Sequence, residues 1–193
     1  MKAVFLTFLP LSIVFFVSSC TTQSSALKLP KIPGEGVFGT RHHLDLNHAA
    51  LSSADSSNTR LVIDISDQMA TLYHGDKVVL ETAVSTGKNN CTPTGHFRVQ
   101  SKALDKTSSL YGAWFDGNDV PLEGSAANRR PPGGVRFQGA RMPYWMQING
   151  HVGMHVGILP GYPASHGCIR VPSRAQAIIY EKTKVGTPVI IQR

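Results

Sequence analysis

From Asn58 onward, apolar and polar residues alternate in short runs divided by turn-forming residues. Leu61-Val62-Ile63-Asp64-Ile65 is rich in β-branched side chains and reads as a strand, ended by a Ser66-Asp67-Gln68 turn. Met69 to Tyr73 alternates as a second strand, His74-Gly75-Asp76 turns, and Lys77 to Ser85 makes a third. Gly87 to Gly95 is a loop, and its Thr92-Pro93-Thr94-Gly95 turn leads into a strand over His96 to Gln100. Tyr144 to Ile148, Val152 to Ile158 and Val189 to Ile191 predict further strands. Tyr111 to Gly139 is rich in Gly, Pro and Asn and is expected to be irregular. One helix is predicted after Pro172. Ser173 is its expected N-cap, with Gln176 as capping-box partner. Ala175, Ile178 and Ile179 should face inward, and Gly186 lies past the end. Many short strands with one C-terminal helix predict a mainly β fold, a sandwich or partly closed barrel.

The first 57 residues have a different character. Met1 and Lys2 are followed by an almost wholly apolar run to Val17, then Ser18, Ser19 and Cys20. That layout is a secretory signal. The run is interrupted by Pro10 and is short for a bilayer span. Val17-Ser18-Ser19-Cys20 resembles a bacterial lipobox, which implies cleavage after residue 19 and lipid on the Cys20 thiol. Residues 20–57 show no persistent period and carry scattered Ser, Thr, Pro and Gly, so they are expected to form a flexible tether. The body is then residues 58–193. The chain should reach the cell envelope, anchored by lipid and facing the periplasm.

Composition narrows the classes. Hydrophobic residues make up 41% of the 193 residues and charged ones 16%, which suits a packed domain rather than disorder. The formal net charge is +7, nearly all of it in the body, and no acidic residue occurs between Glu123 and Glu181. That stretch holds Arg129, Arg130, Arg136, Arg141, Arg170 and Arg174. Such a region favours an anionic partner. No nucleic-acid motif is present, and an anionic wall polymer or a substrate carboxylate fits an exported chain better. With 3 cysteines, the chain is not a disulfide scaffold. Cys91, in an Asn-Asn-Cys-Thr-Pro turn, reads as a free loop thiol.

The densest chemistry is His151-Val152-Gly153-Met154-His155 followed by Ser165-His166-Gly167-Cys168-Ile169-Arg170. On a strand, Val152, Met154 and Val156 share one face, and His151, Gly153 and His155 the other. Cys168 follows a glycine and has imidazoles and an arginine nearby. Those groups should lower its thiol pKa. This is the setting of a nucleophilic thiolate with an imidazole base. The N–H groups of Gly167 and Cys168 are candidate oxyanion donors. No Asp or Glu between residues 124 and 180 is available to orient the imidazole, so a main-chain carbonyl is the simpler partner. Zinc ligation by His151, His155, His166 and Cys168 is an alternative, but the His-Glu-x-x-His helix pattern of zinc peptidases is absent.

His155 with Ser165-His166-Gly167-Cys168, a hydrophobic residue and Arg170 resembles the signature of L,D-transpeptidase catalytic domains of the YkuD type. Ser85-Thr86-Gly87-Lys88, Thr92-Pro93-Thr94-Gly95 with Phe97, Met142-Pro143-Tyr144-Trp145-Met146 and Leu159-Pro160-Gly161-Tyr162-Pro163-Ala164 agree. The resemblance covers about residues 58–193. It implies a β-sandwich-like fold and a cysteine acyl-enzyme formed from peptidoglycan tetrapeptide stems and resolved onto an amine. The products would be stem cross-links, or proteins attached to the wall. By the resemblance Cys168 is the nucleophile and His155 the base, and Ser165, His166 and Gly167 shape the site. Arg170, Tyr144 and His151 are substrate-binding candidates, with His151 left open as an alternative base. No cofactor, metal or nucleic acid is implied. An envelope carboxypeptidase or cysteine amidase, and a non-catalytic wall- or metal-binding module, are the competing readings.

Overall fold

The computed structural model describes residues 43–122 and 133–193. The signal, Cys20 and most of the tether lie outside the described residues. In β2 (Thr59–Asp64), once β1 (Leu44–Leu46) and helix α1 (His48–Ser53) have preceded it, buried and half-buried positions alternate without a break. Leu61 and Ile63 point inward, as the two-residue period requires. Strands β3 (Met69–His74) and β4 (Lys77–Ala83) follow as antiparallel neighbours, each begun by a tight turn. After a loop come β5 (Gly95–Arg98), β6 (Ser101–Ala103), the long β7 (Thr107–Phe115), β8 (Pro121–Leu122) and β9 (Arg136–Arg141). The chain ends with β10 (Trp145–Asn149), β11 (Val152–Val156), β12 (Ile169–Val171), helix α2 (Ser173–Glu181) and β13 (Pro188–Gln192).

Among the described residues these strands form three sheets, none closed into a barrel. One runs β1-β4-β3-β2-β13-β5, with β13 parallel to β2. The second runs β12-β11-β10-β6, and the third, β8-β7-β9, is a small hairpin sheet. Leu61, Ile63, Leu72 and Leu80 of the first sheet share one core with Met146, Ile148, Met154 and Ile169 of the second, and with Ile178 and Ile179 of α2. Burying that continuous apolar surface is the dominant stabilising term. The architecture is mainly β with a C-terminal helix, as expected.

Three local expectations are corrected. The folded body begins before residue 58. Asn47 caps α1 through its side chain, β1 pairs with β4, and Ala50 and Ala54 are in the core. Small alanines carry this burial, and alanine gives little strand or helix signal in so short a piece. Much of the 111–139 stretch is regular. β7 and β9 pair antiparallel, with Trp114 opposite Phe137 and their rings 5.0 Å apart. The glycines that suggested a loop instead let the two strands approach: Gly112 faces Gly139 across the pair. Finally, α2 starts at Ser173, Pro172 is its N-cap, and no capping box forms. Gln176 is fully buried, and its Nε2 donates to the Tyr144 carbonyl. The other end of α2 is capped by a cation. Lys102 Nζ donates to the carbonyls of Tyr180 and Thr183 and lies over the Tyr180 ring.

Candidate active site

Two adjacent parallel strands build the centre. His155 pairs with Arg170 and Met154 with Ile169. One step back, Cys168 comes beside Gly153. Ile169 and Val171 go into the core, so Cys168 and Arg170 face the opposite side of β12. Met154 likewise goes inward, leaving Gly153 and His155 on the face that Cys168 shares. The thiol of Cys168 approaches the His151 carbonyl at 3.7 Å, and the Gly153 N–H is directed at the sulfur. Cys168 is half-buried and His155 buried, whereas His151 and His166 are exposed.

The loop carrying the cysteine is fixed from beneath by the chain leaving β4. Ser85 exchanges backbone hydrogen bonds with Arg170, and the N–H groups of Ala164 and Ser165 donate to the Thr86 carbonyl. The Lys88 N–H donates to the Ser165 carbonyl. The buried Thr92 hydroxyl joins the two segments: it accepts from the Gly87 N–H at 2.7 Å and donates to the Gly167 carbonyl at 2.8 Å. A Cβ on Gly87 would lie 2.8 Å from the Gly167 Cα, and Gly167 has φ +132°, so this crossing requires glycine on both sides. Ser165 Oγ donates to the Cys168 carbonyl and accepts from the Gly167 N–H. That last bond corrects one expectation. The Gly167 N–H is committed within the loop, so its part is to shape the turn rather than to meet an oxyanion.

His155 Nδ1 lies 2.8 Å from the Val156 carbonyl. A carbonyl only accepts, so Nδ1 carries the proton and Nε2 is left as the basic nitrogen. The main-chain partner foreseen in place of an acid is therefore present. Burial lowers the pKa of His155, the Val156 bond opposes that, and Arg170 adds to it. Burial also raises the pKa of the Cys168 thiol; the Gly153 N–H, Arg170 and Lys106 pull it back only in part. This corrects the expectation of a depressed thiol pKa. Burial thus pushes each group toward its neutral form, and for the thiol it outweighs the nearby cations.

Aromatic rings flank this pair. Trp145 of β10 is 6.0 Å from His155, ring centre to ring centre, and its edge covers Gly153. Tyr111 of β7 stacks on His166 with centroids 4.3 Å apart. Tyr144 goes elsewhere: it has φ +54° and meets Tyr180 of α2 edge-on at 5.4 Å. Arg170 runs its aliphatic stem over Gly157 toward the Ile158 carbonyl. Cys91 is an exposed free thiol whose carbonyl lies under Gly167. Among the described residues, no three His, Cys, Asp or Glu groups gather as metal ligands would.

The family model for the YkuD L,D-transpeptidase catalytic domain matches residues 58–191. The chain belongs to that family. Comparison with curated protein sequences gives no match. Solved structures agree in fold. An L,D-transpeptidase from Mycobacterium smegmatis superposes with a TM-score of 0.54 at 23% identity, covering 70% of this chain and 59% of its own. A cysteine-to-serine variant of the Enterococcus faecium L,D-transpeptidase gives 0.50 at 28% identity, over 70% of this chain and 50% of its own. Ldtfm, as its avibactam carbamoyl enzyme, gives 0.50 at 29% identity, over 70% and 49%. The chain thus spans roughly half to three fifths of these proteins' lengths. Within this YkuD-family domain, Lys106 was not singled out by sequence reasoning as a site residue, and Trp145 entered only as a residue able to stack against substrate and as part of the Met142-to-Met146 motif. The place of Trp145 beside the imidazole is signalled only by its strand parity with His155. Lys106 is masked in a charge count by Asp105 beside it.

Proposed function

We propose that this domain is a peptidoglycan L,D-transpeptidase that uses Cys168 as nucleophile and His155 as base. The observation that carries the reading is the half-buried thiol on the same face as a buried imidazole whose tautomer is set by the Val156 carbonyl. In acylation, His155 Nε2 takes the thiol proton as sulfur attacks the carbonyl between the third and fourth residues of a tetrapeptide stem. The imidazolium then protonates the departing D-amino acid, leaving a thioester on Cys168. An amine from a second stem, or from a wall-attached protein, attacks the thioester and returns the sulfur to its thiol form through the same imidazole. The Cys168 N–H is the candidate donor to the oxyanion. Ser165 and Gly167 hold the loop, His166 and Arg170 border the entrance, and His151 lies at its rim.

Incubation of the purified protein with a disaccharide tetrapeptide tests this by product mass. A cross-linked dimer supports transfer to a stem amine. A hydrolysed tripeptide indicates a carboxypeptidase, with water as acceptor. Unchanged substrate removes the enzymatic reading. Avibactam forms a carbamoyl enzyme with Ldtfm, and a matching adduct confined to Cys168 is the expected result here. Export and lipidation at Cys20 are part of the proposal. Metabolic labelling with a palmitate analogue should mark the mature protein, and Cys20→Ala should abolish the label.

A further inference from the structure

Lys106 reaches the site from outside the strands that carry the thiol and the imidazole, in the turn between β6 and β7. Its Nζ lies 4.6 Å from the centre of the Trp145 ring. That ring lies against Gly153, where a Cβ would come within 2.4 Å of the indole. The Gly153 N–H in turn is directed at the Cys168 sulfur. Ammonium, indole, glycine backbone and sulfur therefore form one connected series. From its own strand, Arg170 places a second cation near the sulfur. Lys106 is exposed, and among the described residues no carboxylate pairs with it. Its neighbour Asp105 is taken by Arg141 at 2.8 Å. An ammonium held on an indole face beside a nucleophile, with no carboxylate partner among the described residues, is arranged to receive an anion.

We infer that Lys106 binds the terminal carboxylate of the donor stem and so reads the length of that stem. The inference rests on the donor-acylating reading above. In a tetrapeptide, the fourth residue carries a free carboxylate one residue from the carbonyl under attack. In a pentapeptide, the same carboxyl group is a neutral amide. A point charge near the sulfur separates the two without any steric gate. Where the third stem residue is a diamino acid with a second, distal carboxylate, that group is several bonds farther from the carbonyl under attack, so proximity favours the terminal one.

Two measurements on wild type, Lys106→Gln and Lys106→Arg decide the matter. The first compares alkylation of Cys168 by iodoacetate and iodoacetamide, read by peptide mass so that Cys91 does not interfere. The ratio of anionic to neutral reagent should fall about threefold or more in Lys106→Gln and be restored in Lys106→Arg. The second compares kcat/KM for a tetrapeptide donor, the same donor with a terminal carboxamide, and a pentapeptide. Lys106→Gln should lose about tenfold on the carboxylate donor and little on the other two, mainly through KM. Equal losses on all three donors, an unchanged alkylation ratio, or sensitivity only to amidation of the distal carboxylate would each overturn the assignment. If wild type turns over none of the donors, the transpeptidase reading fails. The alkylation ratio still shows independently whether Lys106 holds anions at the sulfur.

Discussion

His155 and Cys168 are each pushed toward their neutral forms by burial, and that shapes the expected pH behaviour. A thiolate–imidazolium pair formed at rest would let iodoacetamide react with Cys168 at near-maximal rate in mild acid. A neutral pair predicts the reverse: alkylation of the free protein should climb through the alkaline range, with its midpoint above the ordinary thiol value. Turnover should differ, because the base acts during attack. Its acid limb should fall below the usual histidine range, following the lowered His155 pKa. Stability follows the same sign. An unfolded histidine takes up a proton at its ordinary pKa while the buried one resists, so stability is lost as pH falls through that ordinary value toward the folded one. A denaturant melt at pH 7 and pH 5, with and without His155→Gln, should show a smaller pH loss in the variant. The same substitution should reduce kcat by about 10²- to 10⁴-fold. The proposed thiol and base are the ones that residue type and strand parity suggest in the sequence. The direction of their shifts was not legible there. Local charge is visible along a chain, whereas the burial that outweighs it depends on which strands cover it.

At the scale of elements, the cysteine loop is held by a strand end that is distant in sequence. Thr92 is the clearest joint, with one buried hydroxyl satisfying Gly87 and Gly167 together. Thr92→Val keeps the shape and removes both bonds, leaving a buried N–H and a buried carbonyl unpaired. Expected costs are about 2–3 kcal/mol by urea melt, with donor turnover falling as well. Thr92→Ser should restore most of both. Lys102 at the end of α2 offers a contrast. Lys102→Met should lower stability by about 1 kcal/mol without changing the alkylation rate of Cys168, because its carbonyl partners lie at the helix end. The strands of the large sheet were legible because their alternation is strict, as in Thr59–Asp64. The β7–β9 hairpin was not, because its glycines serve close strand approach and composition cannot tell that from a loop. The α2 cap was missed because Gln176 finds a tertiary partner, the Tyr144 carbonyl, that no local motif announces.

Over the whole molecule, the sheet that supports the site depends on residues before the family match begins. β1 pairs along β4, and α1 adds Ala50 and Ala54 to the core. A chain starting at Asn58 should be less stable than one starting at His43 by about 2 kcal/mol or more, seen as a Tm lower by about 5 °C. It should also associate more readily, because β4 becomes an open edge. Equal melting of the two chains would show that this N-terminal addition is dispensable. The fold class was readable from turn spacing and short strands, whereas this boundary was not, since three strand residues and one helical turn are too brief to carry a period. The push of burial toward a protonated sulfur has one further result. Peroxides attack thiolates far faster than thiols. A protein stored without substrate should therefore age slowly under oxidant. Wear should concentrate in molecules caught at high pH, and the exposed thiol of Cys91 is the side chain to compare it against.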